Sequence, residues 1–128
     1  MNLLVGRRGQ GLVEFALVVP ILLLLLLGIV ELGRAWMTRN IMTGAAREAV
    51  RIYVVPDGSL AAADARAKDI LAGAGITSPP ATIGFADNGA YSICTVTITH
   101  NFRAIFGGFI PGLDNIPLVT TTTMRREY

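Results

Sequence analysis

Three residues near the N-terminus have types and spacings that could do chemistry. Gly9 follows Arg7 and Arg8, Gln10 comes next, and Glu14 stands five residues after the glycine. Glycine reaches backbone angles that other residues avoid, so Gly9 predicts a break in the helix between the basic leader and the apolar run, and with Gly11 it also fits a flexible tail beside a membrane. Glu14 marks the edge of an unbroken apolar run, Phe15 to Val30. A carboxylate there costs free energy unless it reaches the headgroup zone or finds a partner, and the residues alone leave both readings open. Further along, the chemistry-bearing side chains are isolated. The chain has one cysteine, Cys94, and one histidine, His100, too few for an intramolecular disulfide or a Cys/His zinc site. No Ser-His-Asp elbow, phosphate-binding loop or dinucleotide glycine pattern is present. The expectation is therefore of a protein that is not an enzyme, with no catalytic or metal-binding residue, no cofactor and no small-molecule substrate. Cys94 reads as a small core residue, and His100 as the solvated end of a strand.

The apolar run, counted outward to Glu14 and Glu31, is about 20 positions long, roughly what a helix needs to cross the hydrocarbon core. Pro20, early in the run, removes one helical hydrogen bond and predicts a kink. A cleavable secretory signal would need a small-x-small site after the run, and Gly28-Ile29-Val30-Glu31-Leu32-Gly33-Arg34 is a poor one. An ordinary signal anchor tolerates that sequence but leaves Glu14 unexplained. The formal charge of +2 is supplied by Arg7 and Arg8, and the rest of the chain is balanced. With no basic stripe interleaved with aromatics, nucleic acid is not an expected partner. Orientation by positive charge is ambiguous, because Arg34, Arg39, Arg47 and Arg51 lie on the far side of the run.

A short basic leader ending in glycine, a glutamate at the fifth position after it and an apolar helix beyond resemble the class III signal of type IV pilins and pseudopilins. Within that group the chain is most similar to the TadE-like minor pseudopilins of the tight-adherence (Flp) pilus system. The likeness is carried by G-Q-G-L-V-E-F-A-L-V-V-P (Gly9 to Pro20), G-I-V-E-L-G-R-A (Gly28 to Ala35), G-A-A-R-E-A-V-R (Gly44 to Arg51) and T-M-R-R-E (Thr123 to Glu127). The resemblance implies a leader of residues 1–9, cut between Gly9 and Gln10 by a prepilin peptidase, with Glu14 the fifth residue of the mature chain. It implies that Glu14 pairs with the new terminal amine of a neighbouring subunit, and that Glu14, Pro20 and Glu31 pack against other subunits in the membrane. An ammonium and a carboxylate neutralise each other in a low-dielectric setting, which favours docking into an assembly. The implied partners are the membrane, the peptidase, other pilins and pseudopilins, and the pilus assembly platform. The implied place is the inner membrane, crossed once, with the N-terminus in the cytoplasm and the C-terminal domain outside it.

The remaining elements must form an aqueous portion of about 90 residues, enough for one small domain. Glu31 to Val55 predicts a continuing helix, with Ala35, Met42, Ala46, Ala49 and Tyr53 on one face. That stripe either covers the chain's own sheet or, being narrow at Gly44-Ala45-Ala46, admits another helix. Glu48 between Arg47 and Arg51 reads as solvated surface. Pro56-Asp57-Gly58 predicts a turn, Ser59 an N-cap, and Leu60, Ala63, Ala67, Ile70, Leu71 and Ala74 a shorter helix ended by Gly73 and Gly75. Ser78-Pro79-Pro80 marks a hinge, after which the period changes to two. Strands are expected over Ala81 to Ala86, Tyr91 to His100 and Pro117 to Met124, with Asp87-Asn88-Gly89 turning the first hairpin. Between the last two strands, Phe102, Ile105, Phe106, Phe109, Ile110 and Leu113 make an apolar loop that either covers the core or docks elsewhere.

The expected fold is α+β: a transmembrane helix (10–33) continuing into a long amphipathic helix (34–55), a second short helix (59–74) and a small three-stranded antiparallel sheet (81–124). The outer domain spans 34–128. Two functions remain. One is a pseudopilin-like minor component supporting pilus biogenesis, adhesion and surface colonisation. The other is an uncleaved single-pass anchor whose outer domain binds a ligand or an envelope partner protein.

Overall fold

The computed structural model describes residues 6–56, 58–89, 93–105, 107–109, 112 and 114–126. Two helices precede three strands: α1 (Gly6–Tyr53), α2 (Leu60–Gly73), β1 (Thr82–Asn88), β2 (Ile93–Phe102) and β3 (Ile116–Arg125), with a 3-10 turn at Gly107–Phe109. The sheet is antiparallel in the order β1-β2-β3, so the fold is α+β. Two compact units divide the chain, Met1–Arg34 and Ala35–Tyr128.

Within the second unit, the period of 3.6 in α1 and α2 and of two in β2 converge on one core. Met42, Ala45, Ala46, Ala49 and Val50 from α1 meet Ala63, Ala67 and Leu71 from α2 and Cys94, Val96 and Ile98 from β2. The stripe of small residues on α1 is thus consumed by the chain's own sheet, and Gly44 alone of Gly44-Ala45-Ala46 is exposed. Alanines on both helices let them lie close to the sheet, while side chains of medium size from β2 fill the space between.

The turns are built by specific residues. Ser59 caps α2, its Oγ accepting from the Ala62 amide at 3.4 Å. At the other end Gly75 adopts φ +77°, and the Ile76 and Gly75 amides donate to the carbonyls of Leu71 and Ala72 at 2.9 Å each. This is a Schellman closure, which favours glycine at that position. Gly73 itself lies inside the helix, so Gly75 is the terminator. Gly58 donates to the Val55 carbonyl at 2.7 Å. Asp57 of that turn lies outside the described residues.

Several boundaries and positions differ from expectation. Asp87 and Asn88 do not turn the hairpin but extend β1, paired with Cys94 and Ile93. Tyr91, expected at the start of β2, lies outside the described residues. His100 is not solvated: it is 7% exposed, on the same face as Cys94, Val96 and Ile98, because the period of two that buries them reaches it as well. Phe102 belongs to β2, opposite Ile116, and is buried. Gly9 and Gly11 do not break the helix; α1 runs through both, as it does through Pro20. Each glycine costs a helix about 1 kcal/mol, too little to stop one propagated by the leucine-rich run that follows.

Candidate functional site

The candidate site is the apolar part of α1 and its polar ends. Among the described residues one helix is long and apolar enough to cross a membrane, and none of its apolar window is buried. Phe15, Leu17, Ile21, Leu24 and Ile29 are each at least 60% exposed. An exposed apolar stretch of this size is far larger than the apolar patches that soluble monomers carry.

The two carboxylates that bound the run differ in their surroundings. Glu31 holds a salt bridge with Arg34 at 2.8 Å, one helical turn on, and only 14% of its side chain is exposed. Its charge is compensated within the chain. Glu14 is exposed and accepts a hydrogen bond from the Gln10 Nε2 at 3.2 Å. An amide orients a carboxylate but, being neutral, supplies no charge to offset it. A Cβ built at Gly9 meets nothing among the described residues within 4 Å, and the same holds at Gly11. Of the leader expected over residues 1–9, Met1 to Val5 lie outside the described residues, as do the side chains of Arg7 and Arg8.

Elsewhere the expected site residues scatter. In the apolar loop Ile105 is 64% exposed and Phe102 faces the core. Phe106, Ile110, Leu113 and the side chain of Phe109 lie outside the described residues. Cys94 is fully buried. His100 Nδ1 has no hydrogen-bond partner among the described residues. Burial lowers the His100 pKa below its ordinary 6.5, and a hydrogen bond with the Pro79 backbone works the other way.

Two polar constellations escaped the sequence reading. Thr43 on α1 donates to the Arg39 carbonyl at 2.9 Å, so the buried Thr120 of β3 is the donor in their shared 3.0 Å hydrogen bond. Arg126, in the terminal motif, pairs with Asp87 at 3.3 Å, donates to the Tyr53 carbonyl at 3.4 Å and lies over the Tyr53 ring. That ring meets Phe85 edge-on at 5.5 Å. The end of α1, β1 and the C-terminal segment are tied together there. The signal for this cluster lay in the Arg-Arg of T-M-R-R-E, whose partners no local pattern names.

The family model described as TadE-like protein matches residues 9–51. Over that stretch the chain is similar to the TadE-like family, and the match spans about a third of its length. The TadE-like segment begins at Gly9 and ends at Arg51, and so takes in three of the four motifs, the carboxylates Glu14 and Glu31 and most of α1. It leaves out α2, the sheet and the terminal motif. No curated protein and no solved structure matches the chain.

Proposed function

We propose that this TadE-like chain is a minor, pseudopilin-like subunit of a tight-adherence pilus machinery, anchored by one span and structural rather than enzymatic. The observation that carries the proposal is the match over residues 9–51, which starts at the glycine of the leader signal and includes Glu14. In this reading the peptidase cuts after Gly9, and Gln10 carries the new amine. Glu14, with only a neutral amide beside it, is left to pair with an amine from a neighbouring subunit, whereas Glu31 is already held by Arg34. The outer domain stands outside the cytoplasm, on the far side of the inner membrane from the leader, and the subunit supports pilus biogenesis, adhesion and surface colonisation.

The test is the intact mass and N-terminal residue of the protein from membranes of its native host, beside a Gly9→Phe variant. The open space around Gly9 means that the larger side chain leaves the fold undisturbed. A mature chain starting at Gln10, with the variant uncut, is the expected result. A wild-type chain that keeps its leader in a host possessing the peptidase would transfer the function to an uncleaved anchor with a binding domain.

A further inference from the structure

The chain has a single tryptophan, Trp36, and the core makes no use of it. Trp36 is 64% exposed and Met37 beside it 65%, the largest apolar side chains left in water on the helical part of the second unit. They occupy the side of α1 opposite Met42, Ala45 and Ala49, a side shared with Asn40, Gly44 and Arg47 at helical spacing. Arg39, also exposed, has no acidic partner among the described residues, and no acidic residue stands three or four positions from it. Two apolar side chains flanked by an arginine and an asparagine are too small a patch for a stable protein interface, which takes about 800 Å² from each partner.

From the geometry we infer that Trp36, Met37 and Arg39 form a collar that lies in the lipid headgroup zone and binds anionic phospholipid. The inference rests on the proposed span. Trp36 comes five residues after Glu31, and five residues of helix rise about 7.5 Å, close to the thickness of the zone between hydrocarbon and water. Tryptophan is favoured there because its ring is apolar and its indole N–H polar. Arg39, a further turn on, meets the phosphate layer, where an unpaired guanidinium is drawn to anionic lipid.

Because Trp36 is the chain's one tryptophan, its fluorescence reports on this collar without any substitution. The full chain is placed in phosphatidylcholine vesicles, with and without phosphatidylglycerol, whose acyl chains carry bromine either next to the headgroup or near the bilayer centre. The expected result is blue-shifted emission that loses more intensity to the shallow bromines than to the deep ones. Phosphatidylglycerol deepens that loss in the wild type and has no such effect in Arg39→Gln. Stronger quenching by deep bromines would put Trp36 in the hydrocarbon and overturn the collar. So would the absence of quenching in a chain that floats with the vesicles, blue-shifted emission then pointing to a protein partner and unshifted emission to water. An identical response of Arg39→Gln to phosphatidylglycerol would remove the arginine from the collar. A chain that does not float with vesicles at all would defeat the proposed span itself, a separate result.

Discussion

His100 is the residue at which burial and charge meet. Its pKa is lowered in the folded chain, so the folded state resists a proton that the unfolded state accepts. Stability is whole above the unfolded value of about 6.5, falls as pH drops through it, and levels off only below the folded value. A chain in detergent micelles is expected to melt at a lower temperature at about pH 5 than at about pH 7.5, with at most about 1.4 kcal/mol lost per pH unit inside that window. His100→Leu, next to Leu118 across the strand pair, is expected to flatten the dependence. Equal pH slopes in the two proteins would show that His100 is not the group that titrates. Burial of His100 was legible in the sequence, because it continues the alternation of Cys94, Val96 and Ile98. A reading by residue type places it in water, whereas its register places it inside.

The two-helix connection is decided at the scale of the element. The turn after α1 brings Gly58 so near the helix end that a Cβ would overlap the Ile52 carbonyl oxygen and lie 2.8 Å from that of Val55. Neither carbonyl can step aside without opening the last turn of α1. Gly58→Ala is expected to destabilise the protein by about 1–3 kcal/mol in denaturant titration. Gly44→Ala, with nothing within 4 Å of its Cβ, is the control and is expected to be neutral or to stabilise by up to about 1 kcal/mol. Equal effects at the two glycines would mean that the turn has room the geometry denies. A Pro-x-Gly turn could be read from residue types, as could the Ser59 cap. The need for glycine at position 58 could not, since it depends on carbonyls three and six residues back meeting it in space.

At the scale of the whole molecule, the proposed assembly depends on the contrast between Glu14 and Glu31. Glu14→Gln keeps the size of the side chain and one acceptor oxygen for the Gln10 amide, and removes the charge. The variant is expected to resist alkaline extraction from membranes as well as the wild type does, and to copurify less with other pilus subunits. On insertion scales a charged group at the centre of a span costs about 2.5–3.5 kcal/mol, and one at the edge costs less, so the expected loss is partial and not complete. Undiminished copurification would remove Glu14 from the assembly contact. Glu31→Gln is no substitute for this test, because it would leave Arg34 without the carboxylate it holds at 2.8 Å.

The sequence by itself determined what depends on near neighbours. The length of the apolar run, the alternation along β2, the Ser59 cap and the closure at Gly75 are local patterns, and each appears where its residues stand. So does the motif set by which residues 9–51 match the TadE-like family model. Tertiary structure alone decided which of the threonines of β3 goes inside: the register sets Thr120 opposite the buried Ile98, and Thr43, 77 positions away, meets its hydroxyl there. It also decided that the small-residue stripe of α1 faces the chain's own sheet, and that Arg126 closes on Tyr53 and Asp87. Periodicity says which residues share a face. Only the meeting of elements distant along the chain says what that face touches.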